Sequence, residues 1–421
     1  MGVLYTYPLC LDSHWCILAP MATICIVGLF VHISVGLLSL LVSTDRAILG
    51  PQNVERATVQ GFTLFLCLYT NDKQTIAVVL NRKRTVAMAI EVDILEDYIY
   101  KISPELLTTL LKDHTMSKEG EAQCNIFWGT SDYEHLGEGY GYHSPILPHL
   151  ITGDNGHVIM PRILKNRDTQ SARSRDMAEV FTPSWICNAQ NNLIDEAWFG
   201  RKDVFNTEYI NEQGQHMWQT TTGPIVFPDG KSWKDYVRDT RMEITCGEAP
   251  YIVSRYDTTT GEAIPLEERI GLLDRKLRVV SENTNTSGEW LEWTQAAYKS
   301  IYGYEWQGDN LLIAREAMLI SFIEYYERKF GKQPLLKSIN YIAYIISWNL
   351  WQMDGLKGVI PLSCADKVEI EQDLFAGTIE KVIPCEGCTK DDIHRHNGTY
   401  CLIRDWGSRE HKKIRFIDLL K

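Results

Sequence analysis

Apolar residues recur at helical spacing in three stretches of the chain. From about residue 95 to 113 the apolar positions are Tyr100, Ile102, Leu106, Leu107, Leu110 and Leu111. A second stretch starts at Thr182-Pro183, which suit a helix cap and first turn, and its apolar face comprises Trp185, Ile186, Ala189, Leu193, Ile194 and Ala197. A third runs from Asp309 to Phe330 and stops at Gly331. The spacing predicts amphipathic helices that pack against a core.

Short apolar stretches that end in turns or acids alternate with these helices. Ile301 to Glu305 predicts a buried strand with an acid at its end, directly before the third helix. The segment from Met242 to Pro250 predicts a strand followed by a turn of small residues, and Asp354 follows another apolar stretch. Ligands of open α/β sheets bind beyond the carboxyl ends of the strands. The pattern therefore predicts an α/β fold with a nucleotide-type site at three strand ends.

The first 87 residues differ from the rest of the chain. They hold ten charged residues, whereas the following 334 hold 86, and residues 17–42 are apolar over a length that could span a bilayer. A membrane anchor, a buried apolar hairpin and an upstream extension are the three interpretations. We favour an extension, with the functional protein starting near Met88, where ordinary globular composition begins. The protein is then cytoplasmic, without membrane contact unless residues 17–42 are a true anchor.

Charge and cysteine usage narrow the function classes. The net charge of −12 argues against a protein that coats nucleic acid nonspecifically, so DNA contact requires a local basic patch. The candidate for phosphate contact is a basic run that comprises Arg162, Lys165, Arg167, Arg173 and Arg175. Eleven scattered cysteines without a secretory signal indicate reduced thiols.

One close cysteine pair near the C-terminus suggests a metal. Cys385-x-x-Cys388 is a common zinc half-site, and His394, His396 and Cys401 follow it. The predicted ligand set is Cys385, Cys388, His394 and Cys401. Reduced thiols in a loop are the alternative, which we prefer, because the second ligand pair of a structural zinc site is rarely His-x-His.

Several motifs resemble one family in both order and spacing. Glu179 to Pro183 is similar to the Phe-Thr-Pro motif that precedes the cofactor domain of adenine-N6 DNA methyltransferases of restriction–modification systems. Glu243 to Ala249 matches the register of their Asp-Pro-x-Cys-Gly-x-Gly motif, with Cys246 and Gly247 identical and Ala249 in place of the last glycine. Residues 95–421, about three quarters of the chain, resemble proteins labelled restriction endonuclease M subunits.

The resemblance implies a Rossmann-like S-adenosylmethionine-dependent methyltransferase sheet with a helical N-terminal region and a small C-terminal segment. It implies S-adenosylmethionine as cofactor and double-stranded DNA as partner. Glu305 would hold the cofactor ribose and Asp354 would lie near its adenine. The full implied cofactor set is Phe181, Thr182, Pro183, Glu243, Thr245, Cys246, Gly247, Glu305 and Asp354.

The sequence departs from the family at the catalytic motif. The family catalyses with Asn-Pro-Pro-Tyr or Asn-Pro-Pro-Phe, which holds the extruded adenine, and no Asn-Pro or Asp-Pro occurs in this chain. In related chains the motif follows a segment like Ile414 to Leu420. The catalytic residues are therefore unknown, and we expect a methyltransferase subunit or fragment whose catalytic motif is supplied by a second polypeptide.

The predicted organisation has four parts. They are the apolar extension 1–87, an N-terminal region 88–176 that contains the basic run, the cofactor domain 177–360 and the Cys-x-x-Cys segment 361–421. Two other functions stay open, a nuclease subunit and a non-catalytic DNA-binding or assembly subunit. Metal-dependent nucleases often use Pro-Asp followed by Glu-x-Lys. Pro228-Asp229 and Glu327-Arg328-Lys329 match that pattern, but we take the match as chance because the predicted cofactor strand lies between them. The missing motif favours the assembly subunit over the nuclease.

Overall fold

The structure, a computed structural model, describes residues 54–59, 62–67, 96–165, 170–171, 173–174, 182–373, 377–408 and 410–420. Strands β1 (Val54–Val59) and β2 (Phe62–Cys67) pair in an antiparallel hairpin that is separate from the unit formed by the later residues. The described residues from 96 onward form a second compact unit. Residues 17–42 lie outside the described part. Among the described helices, none has both the length and the apolar character that a bilayer crossing requires.

Within its described residues, the second unit has more residues in helices than in strands. They are α1 (Glu96–Ile102), α2 (Pro104–Leu111), α3 (Pro148–Ile151), α4 (Ser184–Phe199), α5 (Trp233–Arg238), α6 (Leu272–Asn283), α7 (Ser287–Lys299), α8 (Gly308–Phe330), α9 (Leu336–Asn349) and α10 (Glu386–Lys390). The predicted helix near 95–113 is thus two helices, because Pro104 starts a new one after Ser103.

The strands form one parallel sheet and several antiparallel pairs. They are β3 (Asn206–Ile210), β4 (His216–Thr220), β5 (Arg241–Glu243), β6 (Ile301–Glu305), β7 (Leu350–Gln352), β8 (Lys367–Asp373), β9 (Gly377–Ile383), β10 (Leu402–Arg404) and β11 (Lys413–Arg415). The antiparallel pairs are β3–β4, β8–β9 and β10–β11. The parallel sheet has the order β5-β6-β7.

The parallel sheet is built by two strand–helix–strand crossovers. Helices α6 and α7 connect β5 to β6, and α8 and α9 connect β6 to β7. The predicted strand Ile301–Glu305 and the following helix are confirmed; the helix ends at Gly331, which has a left-handed φ of 65°. The described residues thus form a mixed α/β unit around a small three-stranded parallel sheet. They do not form the full Rossmann-like sheet that the resemblance implies, because the chain after β7 folds into antiparallel hairpins.

Both faces of the parallel sheet are buried. Ile301 and Leu350 face the main core, which the helices build. Met242, Tyr304 and Trp351 face a second apolar cluster, to which the C-terminal segment contributes Cys401, Ile403, Phe416 and Ile417. The segment after residue 360 therefore covers one face of the sheet.

Arg315 joins three helices at the centre of the unit. It lies fully buried in α8, and its guanidinium donates to the carbonyl oxygens of Leu110, Lys112, Ser347 and Leu350. These carbonyls stand at the C-terminal ends of α2 and α9, where backbone oxygens lack partners within the helix. A cation there also complements the helix dipoles. Arg315 therefore fixes the ends of both helices against α8.

The buried face of α4 is largely polar, and the predicted apolar face is wrong for most of its members, although Ile194 packs against the main core. Leu193 is 65% exposed and Trp185 is 37% exposed, whereas Asn188, Asn191 and Asp195 are buried. The Arg275 guanidinium donates to Asp195 at 2.6 Å and to the Asn188 side-chain oxygen at 2.9 Å. The helix therefore turns its polar side inward, because a buried arginine there requires carboxylate and amide partners.

Two buried carboxyl groups make the stability of the fold depend on pH. Neither carboxylate oxygen of Glu316, in α8, has a hydrogen-bond partner among the described residues. Burial raises its pKa well above the ordinary value, and the neighbouring Glu96 adds to the shift. Burial likewise raises the pKa of Glu96 to about 8. The folded protein therefore keeps protons that the unfolded chain releases, and stability present in acid is lost as the pH rises through the raised pKa values.

We expect Glu316→Gln to raise the free energy of unfolding at about pH 8 by more than about 1 kcal/mol, because the amide keeps the shape of the carboxyl and never ionises. Urea unfolding at about pH 5 and about pH 8, followed by tryptophan fluorescence, measures the change. Glu292→Gln, at an exposed position of α7, is the control and should have no effect. Equal stability of the Glu316→Gln variant and the natural protein at the higher pH would contradict the prediction.

Candidate cofactor site and cysteine–histidine cluster

Three acidic residues stand at the carboxyl ends of the parallel strands. Glu243 ends β5, Glu305 ends β6, and Asp354 follows β7. The register pairs Glu243 with Gly303 and Glu305 with Gln352, so these strand ends lie at one edge of the sheet. This edge is where open α/β sheets bind ligands.

The turn after β5 contacts the end of β6. Thr245, Gly247 and Ala249 all have positive φ, which gives the chain a tight, left-handed course. The backbone N–H of Cys246 donates to the carbonyl of Tyr304 at 2.9 Å. The N–H of Gly247 donates to the Glu305 carboxylate at 2.8 Å. The structure therefore brings together the turn and the acid that the sequence predicts to share a ligand.

The Glu243 carboxyl is buried at the same edge. Burial raises its pKa well above the ordinary value, the backbone N–H groups of Tyr251 and Ile252 lower it, and Glu305 raises it further. Its Oε2 has no hydrogen-bond partner among the described residues. A buried carboxyl oxygen without a partner is costly, and a bound cation or donor would relieve that cost.

Thr182 lies beside the chain that leads away from this turn. Its carbonyl accepts from the Thr258 hydroxyl, in the segment after β5, at 3.2 Å and from the Cys187 thiol at 3.6 Å. Pro183 caps the start of α4. Phe181 lies outside the described residues. The Thr182-Pro183 part of the predicted motif is therefore adjacent to the segment after β5.

Asp354 organises its own turn. Its carboxylate accepts from the N–H groups of Leu356 at 3.0 Å and Lys357 at 3.2 Å, and its backbone N–H donates to the Val359 carbonyl. Gly355 packs so closely against Tyr304 that an added Cβ would lie 2.6 Å from the ring. The turn after β7 is therefore held against β6, and Asp354 shapes it.

The basic run is largely occupied within the protein. The Lys165 ammonium and the Arg173 guanidinium, both buried, lie 3.0 and 2.5 Å from the Asp309 carboxylate. Burial alone would raise the pKa of Asp309, but the two cations hold it well below its ordinary value. Side chains in this position are not free to contact DNA phosphates, so Lys165 and Arg173 have a structural role.

The other members of the run differ in placement. The Arg162 guanidinium donates to the Gln170 carbonyl and to the Ser174 hydroxyl, and its backbone N–H donates to Glu248. Arg167 and Arg175 lie outside the described residues. The structure therefore gives the run no exposed cationic row within the part that it describes.

Three thiols and one imidazole converge in the C-terminal segment. They belong to Cys364, Cys385, Cys388 and His396, and their ligand atoms all lie within 4.8 Å of one another. The Cys364 Sγ lies 3.3 Å from Cys385 Sγ and 3.6 Å from Cys388 Sγ. The His396 Nδ1 lies 3.5, 3.7 and 3.6 Å from the sulfurs of Cys364, Cys385 and Cys388. We call these four residues the Cys3His cluster.

The Cys3His cluster contains only two of the four predicted metal ligands, Cys385 and Cys388. His394 is exposed, and its backbone N–H donates to Asp392 in a turn. Cys401 is buried behind the sheet, where its thiol faces the Gln352 carbonyl at 3.4 Å. His396, which the sequence brought into consideration, and Cys364, which it missed, take their places.

No protein-family model, no curated protein and no solved structure matches the chain. The geometry at the strand ends and the sequence motifs are thus the basis on which a function is inferred.

Proposed function

We propose that this chain is the S-adenosylmethionine-binding methyltransferase component, or a fragment of one, of a DNA restriction–modification system, and that it contributes to adenine-N6 methylation. The hydrogen bond of 2.8 Å from Gly247 N–H to the Glu305 carboxylate carries the proposal. It joins the two motifs that would share one cofactor molecule across neighbouring parallel strands.

The chemistry of the three acids suits the three polar parts of this cofactor. The Glu305 carboxylate accepts from the backbone N–H groups of Gly247 and Gln307, and a carboxylate is the acceptor that suits ribose hydroxyl donors. The buried, unpartnered Oε2 of Glu243 suits the ammonium group of the methionine part. Asp354 follows the adjacent strand and would lie on the adenine side.

The topology supports the same assignment. The strands occur in the sheet in the order in which they occur in the sequence, and each is followed by a turn or helix start at the candidate edge. This arrangement corresponds to one half of a doubly wound nucleotide-binding sheet. Because one fold supports many functions, the cofactor itself has to be tested.

We expect the full chain to bind S-adenosylmethionine, and Glu305→Ala to weaken binding about ten- to a hundredfold. Removal of a charged acceptor that receives hydrogen bonds from neutral hydroxyls costs about 1.5–3 kcal/mol of binding free energy. Isothermal calorimetry measures the affinity, and circular dichroism establishes that the variant is folded. Glu292→Ala, on the exposed side of α7, is the matched control and should bind like the natural protein.

The same measurement distinguishes the proposed function from the second candidate, a non-catalytic DNA-binding or assembly subunit. The missing Asn-Pro-Pro motif favours this alternative. If the natural chain is folded but shows no heat of binding with S-adenosylmethionine, the cofactor proposal is rejected and the assembly subunit remains. Unchanged affinity in a folded Glu305→Ala variant would reject the role of Glu305.

A further inference from the structure

We propose that the Cys3His cluster binds one zinc ion in a closed, structural site. The inference stands on the C-terminal segment alone and does not depend on the proposed cofactor. Cys364, Cys385, Cys388 and His396 provide three thiolates and one imidazole, a common set for structural zinc.

The spacing of the four ligand atoms fits a tetrahedron around zinc. Bonds of about 2.3 Å to sulfur and about 2.0–2.1 Å to nitrogen give edges of about 3.8 Å between sulfurs and about 3.5 Å between sulfur and nitrogen. The measured sulfur–sulfur distances are 3.3 and 3.6 Å. The three sulfur–nitrogen distances lie between 3.5 and 3.7 Å. A disulfide requires about 2.05 Å, so the sulfurs are arranged around a common centre and not bonded in pairs.

A backbone N–H group points at the ligand sulfur of Cys385. The Asn397 N–H donates to the Cys385 Sγ at 3.4 Å. Such donors stabilise thiolates and fix the direction of the metal bond. The ligands of an iron–sulfur cluster stand further apart, because the metal–sulfide core lies between them. A single tetrahedral ion with soft ligands is the occupant that this geometry favours.

Two glycines permit the close approach of the ligands. A Cβ at Gly387 would lie 2.7 Å from His396 Nδ1 and 2.6 Å from the His396 backbone nitrogen. A Cβ at Gly398 would lie 2.9 Å from the backbone nitrogen of Cys364 and 3.0 Å from its Cβ. Side chains at either position would push the histidine or the first cysteine away from the other ligands. The backbone is therefore shaped for convergence at this point.

The zinc ion would connect the two ends of the β8–β9 hairpin. Cys364 precedes β8 and Cys385 follows β9, while Cys388 and His396 lie in and after α10. Next to the cluster, Val359 bridges to Tyr400, and Val359 also pairs with Asp354. Metal binding would thus order the whole segment between the end of β7 and β10. All four positions are filled by protein, so the site leaves no position for a substrate.

The test measures zinc directly in the full chain, purified after expression with zinc, by mass spectrometry of the metal. We expect about one zinc per chain, and cobalt substitution giving the visible absorption of a tetrahedral thiolate site. His396→Asn is expected to lower zinc affinity by at least about ten- to a hundredfold, whereas the matched control His394→Asn should keep the metal. Cys364→Ser and its control Cys124→Ser, at an exposed free cysteine, repeat the comparison at a second ligand.

Three results would overturn the proposal. They are a folded natural chain without zinc, a disulfide among the three cysteines in freshly purified protein, and equal zinc loss in His394→Asn and His396→Asn. If a ligand variant fails to fold, the cobalt spectrum of the natural chain still decides, because octahedral or absent cobalt absorption would reject a tetrahedral thiolate site. Binding of S-adenosylmethionine is measured separately, so failure of one proposal is distinguishable from failure of the other.

Discussion

Asp309→Asn is expected to lower the free energy of unfolding of the chain by about 3–5 kcal/mol, because it leaves two buried cations without their shared carboxylate. The Asp309 Oδ2 accepts from Lys165 at 3.0 Å, from Arg173 at 2.5 Å and from the Tyr133 hydroxyl at 2.8 Å. The asparagine side chain has the same shape, so the loss is electrostatic. Urea denaturation followed by circular dichroism measures the change in midpoint and slope.

The control is Asp132→Asn, since Asp132 also pairs with Arg173 but is 27% exposed. Its loss should cost about 1 kcal/mol or less. The pKa of Asp309 is lowered on folding, so its contribution is present above the unfolded pKa of about 3.9 and is lost as the pH falls further. The natural protein and Asp309→Asn should therefore converge in stability in strong acid. A difference that persists there would contradict this explanation.

The second prediction follows from the proposed function: the 421-residue chain alone transfers no methyl group to DNA, even when S-adenosylmethionine is bound. The exocyclic amine of adenine is a weak nucleophile that must be extruded and held by hydrogen bonds and stacking. The sequence contains no Asn-Pro to provide these contacts. Transfer of labelled methyl groups to mixed-sequence DNA, with digestion to nucleosides, measures the reaction. Addition of a polypeptide with Asn-Pro-Pro and an aromatic residue should restore it.

Clear turnover by the chain alone would contradict this prediction and require other residues to hold the base. Asn349 could not hold the target base unless its present hydrogen bonds were broken. Its amide donates to the carbonyls of Tyr298 and Ile301, and its oxygen accepts from the Trp406 indole at 2.7 Å. The side chain thus has a structural role between α9, β6 and the C-terminal segment.

Sequence patterns predict the elements whose signals are local. The strand Ile301–Glu305 and the helix ending at Gly331 could be predicted because apolar spacing, an acid and a glycine stop occur in one continuous stretch. The pattern also places the turn after Met242 and the acid Glu305 at strand ends that share a site, but it does not predict the hydrogen bond between Gly247 and Glu305. Apolar spacing says where a strand ends but not which strand lies beside it.

Predictions failed or fell short where distant polar groups meet. The inward face of α4 depends on Arg275, and the placement of Lys165 and Arg173 depends on Asp309, neither of which is a neighbour in sequence. Cys364 joins Cys385 because the β8–β9 hairpin brings its two ends together. The alternation of polar and apolar residues in residues 367–383 could have signalled that hairpin, and with it the missing ligand.

The parallel sheet has a consequence for synthesis of the protein on the ribosome. Arg241 pairs with Ile301, and Gly303 pairs with Leu350, so each strand is made long before its partner. Non-local pairing of this kind slows folding, because loop entropy is lost before the strand contacts form. Until α9 and β7 have emerged, the backbone N–H and C=O groups along one edge of β6 stay open to pairing with other nascent chains. Pausing of translation shortly after β6 should therefore increase aggregation more than pausing after β7.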